Sequence, residues 1–134
     1  MHKPIKTTIN LFVDKLDKSG IGISLMQNED VYFIPYALPG ETVKANIINK
    51  FKSKVYCSNL EILKNSSERS ENTCKHFTKC GGCLLQHWEY ENYKKWKFNL
   101  IRQPLLKLTP DIKTLDMISA DNYSRRRAKF FLRQ

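Results

Sequence analysis

Three of the chain's four cysteines fall within "CKHFTKCGGC": Cys74, Cys80 and Cys83. Two thiolates separated by two residues can bind one metal centre, because the turn between them brings both sulfurs to one side. Both intervening residues, Gly81 and Gly82, are glycine. Glycine permits positive φ, leaves room for a bulky inorganic group, and bares N–H groups that can hydrogen-bond to sulfur. Cys74 returns from a short loop as a third donor. Zinc sites draw their ligands as two separated pairs, and this sequence has no second C-x2-C. His76 or His87 would complete a Cys3His set. An iron–sulfur cluster takes four protein ligands in the ordinary case, and three are local. Cys57, the remaining cysteine, sits inside a strand pattern and reads as a small core residue.

The formal charge of +10 and a pI near 9.5 point to a polyanionic partner, most often nucleic acid. No apolar run is long enough to span a bilayer. The N-terminal "MHKPIKTTINLF" lacks the apolar core and cleavage site of a signal peptide. A cytoplasmic protein is the expectation. There, thiols stay reduced, and clustered cysteines bind metal or do redox chemistry more often than they form disulfides.

The elements that must position these residues follow from pattern. Residues 1–64 read as five short strands of a small, closed or partly closed barrel, so the fold class is mainly β. "IKTTINLFVDKL" alternates apolar and polar residues, and "KSGIGIS" places glycines around a bend. "VYFIPY", "TVKANIINKF" and "SKVYCSNLEIL" are further strands. Pro39-Gly40 occupies the centre of a type II turn. Residues 65–73 have no apolar side chain and read as a linker or surface loop. The segment 74–134 carries the cysteines and then a helix over "HWEYENYKKWKFNLIRQ", with Tyr93, Trp96 or Lys97, Leu100 and Ile101 on one face. Pro104 should end or kink it. "KTLDMIS" is a candidate strand, and "YSRRRAKFFLRQ" closes the chain as a basic, aromatic, strand-like run.

The stretch "CKHFTKCGGCLLQHWEYENYKKWK" resembles the iron–sulfur segment of the S-adenosylmethionine-dependent RNA 5-methyluridine (uracil-C5) methyltransferases. Cys74, Cys80, Cys83, Gln86, His87 and Tyr90 match the family pattern. "VYFIPYALPGETVKANI" resembles the TRAM domain, an OB-like RNA-binding barrel, and "YSRRRAKF" is similar to the strand that opens the family's central domain. Asn72-Thr73 replaces the proline that commonly precedes the first cysteine. The resemblance implies a 4Fe–4S cluster with Cys74, Cys80 and Cys83 as three of its four ligands, and RNA, tRNA or rRNA, as partner. No cysteine follows Cys83, and no glycine-rich loop opens a helix after a strand. The expectation is therefore the N-terminal third of such an enzyme, without catalytic residues or a site for S-adenosylmethionine. The missing C-terminal catalytic part would be a partner if encoded separately.

Within the resemblance, Lys44, Lys50, Lys52 and Lys54, with Phe51 and Tyr56 between them, supply the basic and aromatic mixture of an RNA surface. Arg125, Arg126 and Arg127 form the densest charge and suit phosphates bidentately. Tyr32 and Phe33 point to opposite faces, so at most one meets RNA. Trp88 and Trp96 read as packing residues between helix and cysteine loop. The other reading is a free-standing zinc-binding RNA adaptor with a Cys3His site.

Overall fold

A computed structural model describes residues 7–71, 74–120 and Ser124 of the 134-residue chain. Arg125, Arg126 and Arg127 lie outside the described residues. Among the described residues the architecture is mainly β, a single curled sheet with one helix. The strands are β1 (Thr8–Phe12), β2 (Lys15–Leu16), β3 (Gly22–Leu25), β4 (Val31–Ile34), β5 (Thr42–Phe51) and β6 (Lys54–Lys64), and the helix is α1 (Tyr90–Leu108). The sheet order is β1-β5-β6-β4-β3-β2.

That order forces the curl. β1 and β2 stand at opposite edges of the sheet, yet only Val13 and Asp14 separate them. The two edges must therefore come together, as in a half-closed barrel of OB type. "IKTTINLFVDKL", read as one strand, is two strands with a corner at Val13-Asp14. There the Val13 N–H donates to the Glu41 carbonyl (2.9 Å) on the β5 side, and the Asp14 N–H donates to the Ile23 carbonyl (2.8 Å) on the β3 side. The sheet thus has six strands where the pattern suggested five, because alternation continues unbroken through the corner while pairing changes partner.

The alternation itself fills the interior. Val43 and Ala45, Val55 and Cys57, and Tyr32 and Ile34 each fall two residues apart and face inward with Leu11 and Val13. The long β5–β6 hairpin carries three register shifts, and the one between Ile47 and Asn49 leaves Ile48 unpaired and exposed. Such bulges bend the hairpin, so that β5 can serve β1 while β6 pairs in parallel with β4. The Pro39-Gly40 turn forms as expected, with Gly40 at φ +83° and the Glu41 N–H donating to the Leu38 carbonyl (3.2 Å).

Beyond the sheet, of the end or kink expected at Pro104 the end does not occur, and the helix runs on to Leu108. Proline removes one N–H, but α1 has no buried residue, so water can satisfy the carbonyl left over. "KTLDMIS" takes no regular secondary structure, and its Leu115 and Ile118 are almost fully exposed. An apolar alternation without a neighbouring strand has nothing to pair with.

The stretch from residue 65 to 71 is tied down on both sides. The Arg69 guanidinium grips the fully buried Glu41 carboxylate through Nε to Oε1 (2.6 Å) and Nη2 to Oε2 (2.9 Å), and Nη2 also donates to the Tyr36 carbonyl (3.1 Å). The Leu38 N–H donates to the same carboxylate (2.8 Å). Burial alone would raise the Glu41 pKa. The Arg69 guanidinium and the Leu38 and Ser66 N–H groups outweigh it and hold the carboxyl below its ordinary value. A group with a lowered folded-state pKa stabilises the fold above its unfolded value, near 4.5, and loses that contribution as pH falls through the folded one. Glu41→Ala should cost about 3–5 kcal/mol in urea denaturation at pH 7, because it strands a largely buried guanidinium. A loss below about 1 kcal/mol would show that the pair holds nothing together.

Candidate functional site

The cysteine segment lies against the barrel through a short antiparallel contact. Arg69 and Trp88 form an isolated bridge; the Ser70 N–H donates to the His87 carbonyl (2.9 Å) and the Glu89 N–H to the Glu68 carbonyl (2.8 Å). The Trp88 indole N–H donates to Glu68 Oε2 (2.7 Å). From this base the chain between residues 74 and 85 makes a series of turns, with the Phe77, Lys79 and Cys80 N–H groups returned to the Cys74 and His76 carbonyls.

One side chain plugs this loop into the fold. Phe77 packs edge-on against Tyr36 of the barrel (5.3 Å between ring centroids) and against His87 (5.1 Å). On the far side, Leu84 and Leu85 pack on the turn at Gly20, where an added Cβ would stand 2.9 Å from Leu85.

The thiols face outward. Cys74 and Cys80 are partly exposed and Cys83 is exposed, whereas Cys57 is buried in the barrel, its pKa pushed up to about 11 by burial. Cys57 is thus an inert core residue, as its strand position suggested. Gly81 stands at φ +72°, with open space where a side chain would be, and the Gly82 N–H donates to Cys80 Sγ (3.3 Å). This is the N–H to sulfur geometry that the Gly-Gly pair was expected to provide. In kind and accessibility, then, the three donors suit a thiophilic metal or cluster. Yet among the described residues no group of three or more His, Cys, Asp or Glu side chains stands together so as to hold a metal ion. The structure places the three thiols on one loop without gathering them.

His87 does not join them. It is fully buried beside Phe77, and neither ring nitrogen has a hydrogen-bond partner among the described residues. Burial, with the Arg69 charge adding to it and Glu41 partly opposing, lowers its pKa to about 4. It is a neutral ring beneath the loop, not the first residue of the helix, which starts at Tyr90.

The lysines divide. Lys50, Lys52 and Lys54 are exposed around the tip of the β5–β6 hairpin, with Phe51 exposed among them and Lys52 Nζ 5.7 Å from its ring centre. Tyr56, also exposed, is stacked on Phe33 (5.2 Å, 19°), while Tyr32 is buried, so only one of that pair faces outward. Lys50 is already paired with Asp30 (2.6 Å). Lys44 is exposed but six residues away along β5, about 20 Å at strand rise, and lies opposite Glu61. It is no part of the hairpin group. Glu41, Arg69, Tyr36 and Phe77 were not singled out from sequence. Their only signal was a lone arginine in an otherwise polar run and an acid directly after the Pro-Gly turn.

Over 127 residues, 95% of the chain, the sequence is 31% identical to an RNA methyltransferase of Brucella melitensis. It is 36% identical over 115 residues to another from Mesorhizobium japonicum, 86% of the chain. It is 31% identical over 133 residues to the 23S rRNA (uracil(1939)-C(5))-methyltransferase RlmD of Shewanella denitrificans, again covering 95% of the chain. The chain belongs to the RNA methyltransferase family. It spans 29%, 26% and 28% of these three relatives, matching their N-terminal part. No family model matches it.

The buried histidine makes a prediction with a defined pH window. The unfolded chain binds a proton at His87 below about pH 6.5, while the folded chain does so only near pH 4. Stability should fall by about 3 kcal/mol as pH drops from 6.5 to 4, from the width of that gap. His87→Leu should remove this slope in urea titrations while leaving the Glu41 contribution below pH 4.5. An unchanged slope would place the titration elsewhere.

Proposed function

We propose that this chain is the RNA-binding and cluster-bearing part of an RNA uracil-C5 methyltransferase, with its domains at 1–64 and 74–134 joined through 65–73. The observation that carries the reading is the match over 95% of the chain to a uracil-C5 enzyme of ribosomal RNA, in a chain with three of its four cysteines on one accessible loop. Cys74, Cys80 and Cys83 would hold a 4Fe–4S cluster, with the Gly82 N–H directed at sulfur. When bound, such a cluster supplies a cross-link between turns of a loop that Phe77, Leu84 and Leu85 root on the barrel. Reduced thiols of this kind suit a cytoplasmic setting.

RNA is held by the hairpin tip. Lys52 and Lys54 engage phosphates, and Lys50 does so by exchanging Asp30 for a phosphate. Phe51 and the Phe33–Tyr56 stack present flat faces to unpaired bases. Lys44 and Arg125, Arg126 and Arg127 extend the basic surface. Transfer of a methyl group from S-adenosylmethionine belongs to the remainder of the enzyme, and the substrate is rRNA or tRNA. Among the described residues no helix is long and apolar enough to cross a membrane.

Two measurements test this. Protein purified without air should contain iron with matching sulfide, and Cys80→Ser should lose most of both. Zinc retained in a variant lacking His76 and His87 would argue against a Cys3His site as well as against the cluster. Affinity for a uridine-rich single strand should fall as salt rises, and Lys54→Ala should reduce the log–log slope by about 0.7. Phe51→Ala and Tyr56→Ala should each cost about 1–3 kcal/mol without changing the slope. Binding that ignores salt would refute the hairpin assignment.

A further inference from the structure

The β5–β6 tip carries three exposed lysines, Lys50, Lys52 and Lys54, and among the described residues only Lys50 is in an ion pair. Its partner is Asp30, in the turn between β3 and β4, with Oδ2 2.6 Å from Lys50 Nζ. A carboxylate placed there works against any attraction of the tip for phosphate. The contacts of the turn do not need that charge. Asn28 Nδ2 donates to Asp30 Oδ2 (3.0 Å) and the Asp30 N–H donates to Asn28 Oδ1 (3.2 Å), and an uncharged amide at position 30 would keep both.

The two partners differ in freedom. The Asp30 side chain is 11% exposed and held by Asn28, whereas that of Lys50 is 51% exposed on a flexible stem. The carboxylate is fixed and the ammonium can swing. Nor does the tip rely on the ion pair for its place. The Val31 N–H, one residue beyond Asp30, donates to the Ser53 carbonyl (2.7 Å), and Val31 stands in register with Lys54. Backbone thus keeps Asp30 within reach of Lys50 when the pair opens. Lys50 directly precedes Phe51, whose ring is exposed, so the ammonium that Asp30 holds is one that stands beside a free aromatic face.

We propose that Asp30 is an internal competitor for RNA phosphate at Lys50. When a strand binds, Lys50 leaves Asp30 for a phosphate oxygen; as the strand departs, the fixed carboxylate takes the ammonium back. Asp30 thereby weakens binding and speeds release, which suits an enzyme that must let go of one RNA before taking the next. It is a positioning residue that acts on RNA only through Lys50. The inference rests on the reading of the hairpin tip as an RNA surface, and it adds to that reading a residue that sets how long RNA stays.

The test uses the full 134-residue chain and a labelled uridine-rich strand, chased with an excess of the same strand unlabelled. Asp30→Asn removes the charge and keeps the shape. It should bind about fivefold tighter, with most of the gain seen as slower release. Adding Lys50→Met should erase the gain. Lys50→Met alone leaves a nearly buried carboxylate unpaired at the RNA surface, so it should weaken binding more than Lys54→Ala does, and the double variant should recover to about the Lys54→Ala level. Weaker binding by Asp30→Asn, together with a lower urea midpoint, would assign the carboxylate to holding the turn and overturn the proposal. A gain that survives Lys50→Met would overturn it too, because Asp30 would then act through the general field. So would a gain confined to the association rate. Should Lys54→Ala and Phe51→Ala leave RNA binding untouched, the RNA reading of the tip fails; should they weaken it while Asp30→Asn changes nothing, this inference fails alone.

Discussion

Everything outside the barrel depends on one buried ion pair. Glu41 follows the Pro39-Gly40 turn and points into the protein with no exposure, and Arg69 reaches in from a stretch that has no apolar residue to bury. Taking a carboxylate out of water is costly unless its oxygens are fully used. Here they are: Arg69 supplies two N–H donors, Leu38 and Ser66 supply two more. Arg69 Nη2, shared between Glu41 and the Tyr36 carbonyl, then helps hold Tyr36 at φ +61°, a left-handed conformation that a non-glycine residue adopts only where its surroundings insist. Tyr36 in turn presents its ring to Phe77. The path from the barrel core to the thiol loop is thus one carboxylate, one guanidinium and two aromatic rings.

This arrangement explains why the loop can be rooted with so little apolar surface. A hydrophobic contact alone leaves register loose, whereas a bidentate guanidinium fixes both distance and plane. With Arg69 fixed, the bridge to Trp88 and the Ser70 hydrogen bond set the strand-like run before the helix, and Trp88, tied to Glu68, offers its ring to Trp96 (5.9 Å). The first turns of α1 are steered by that contact. The surface pair of Lys94 with Glu91 (2.8 Å) adds little, being solvated.

What could be read from residue order follows the same division between local and non-local causes. The strands were legible because burial on one face imposes a two-residue period, and the turn at Pro39-Gly40 because its backbone demands those residues. The open turn between Cys80 and Cys83 was legible because glycine accepts positive φ and bares an N–H toward sulfur, as Gly81 and Gly82 do. The break at Val13-Asp14 was not, since a corner in a curled sheet keeps the apolar alternation and changes only the partner strand. Nor was the continuation of α1 through Pro104, because the cost of proline depends on whether its freed carbonyl meets water or protein. The Glu41–Arg69 pair was invisible for a further reason: its partners lie 28 residues apart, and neither belongs to a pattern.

Surface chemistry sorts by the same geometry. Bulged and long, the β5–β6 hairpin carries Phe51 past the end of the core among lysines, whereas Tyr56 faces out because alternation sets it between the buried Val55 and Cys57. Along α1 the basic residues Lys94, Lys95, Lys97, Arg102 and Lys107 outnumber the single acid Glu91, but Lys94 is paired with Glu91 and Lys97 lies over the Tyr93 ring. The net charge of +10 is thus shared between hairpin and helix, and it is only at the hairpin that exposed lysines flank an exposed Phe51. The thiol loop touches barrel and helix alike, through Phe77 on Tyr36, Leu85 on the turn at Gly20 and Cys83 in a groove beside α1, so its backbone is fixed on two sides while the cysteines themselves stay accessible.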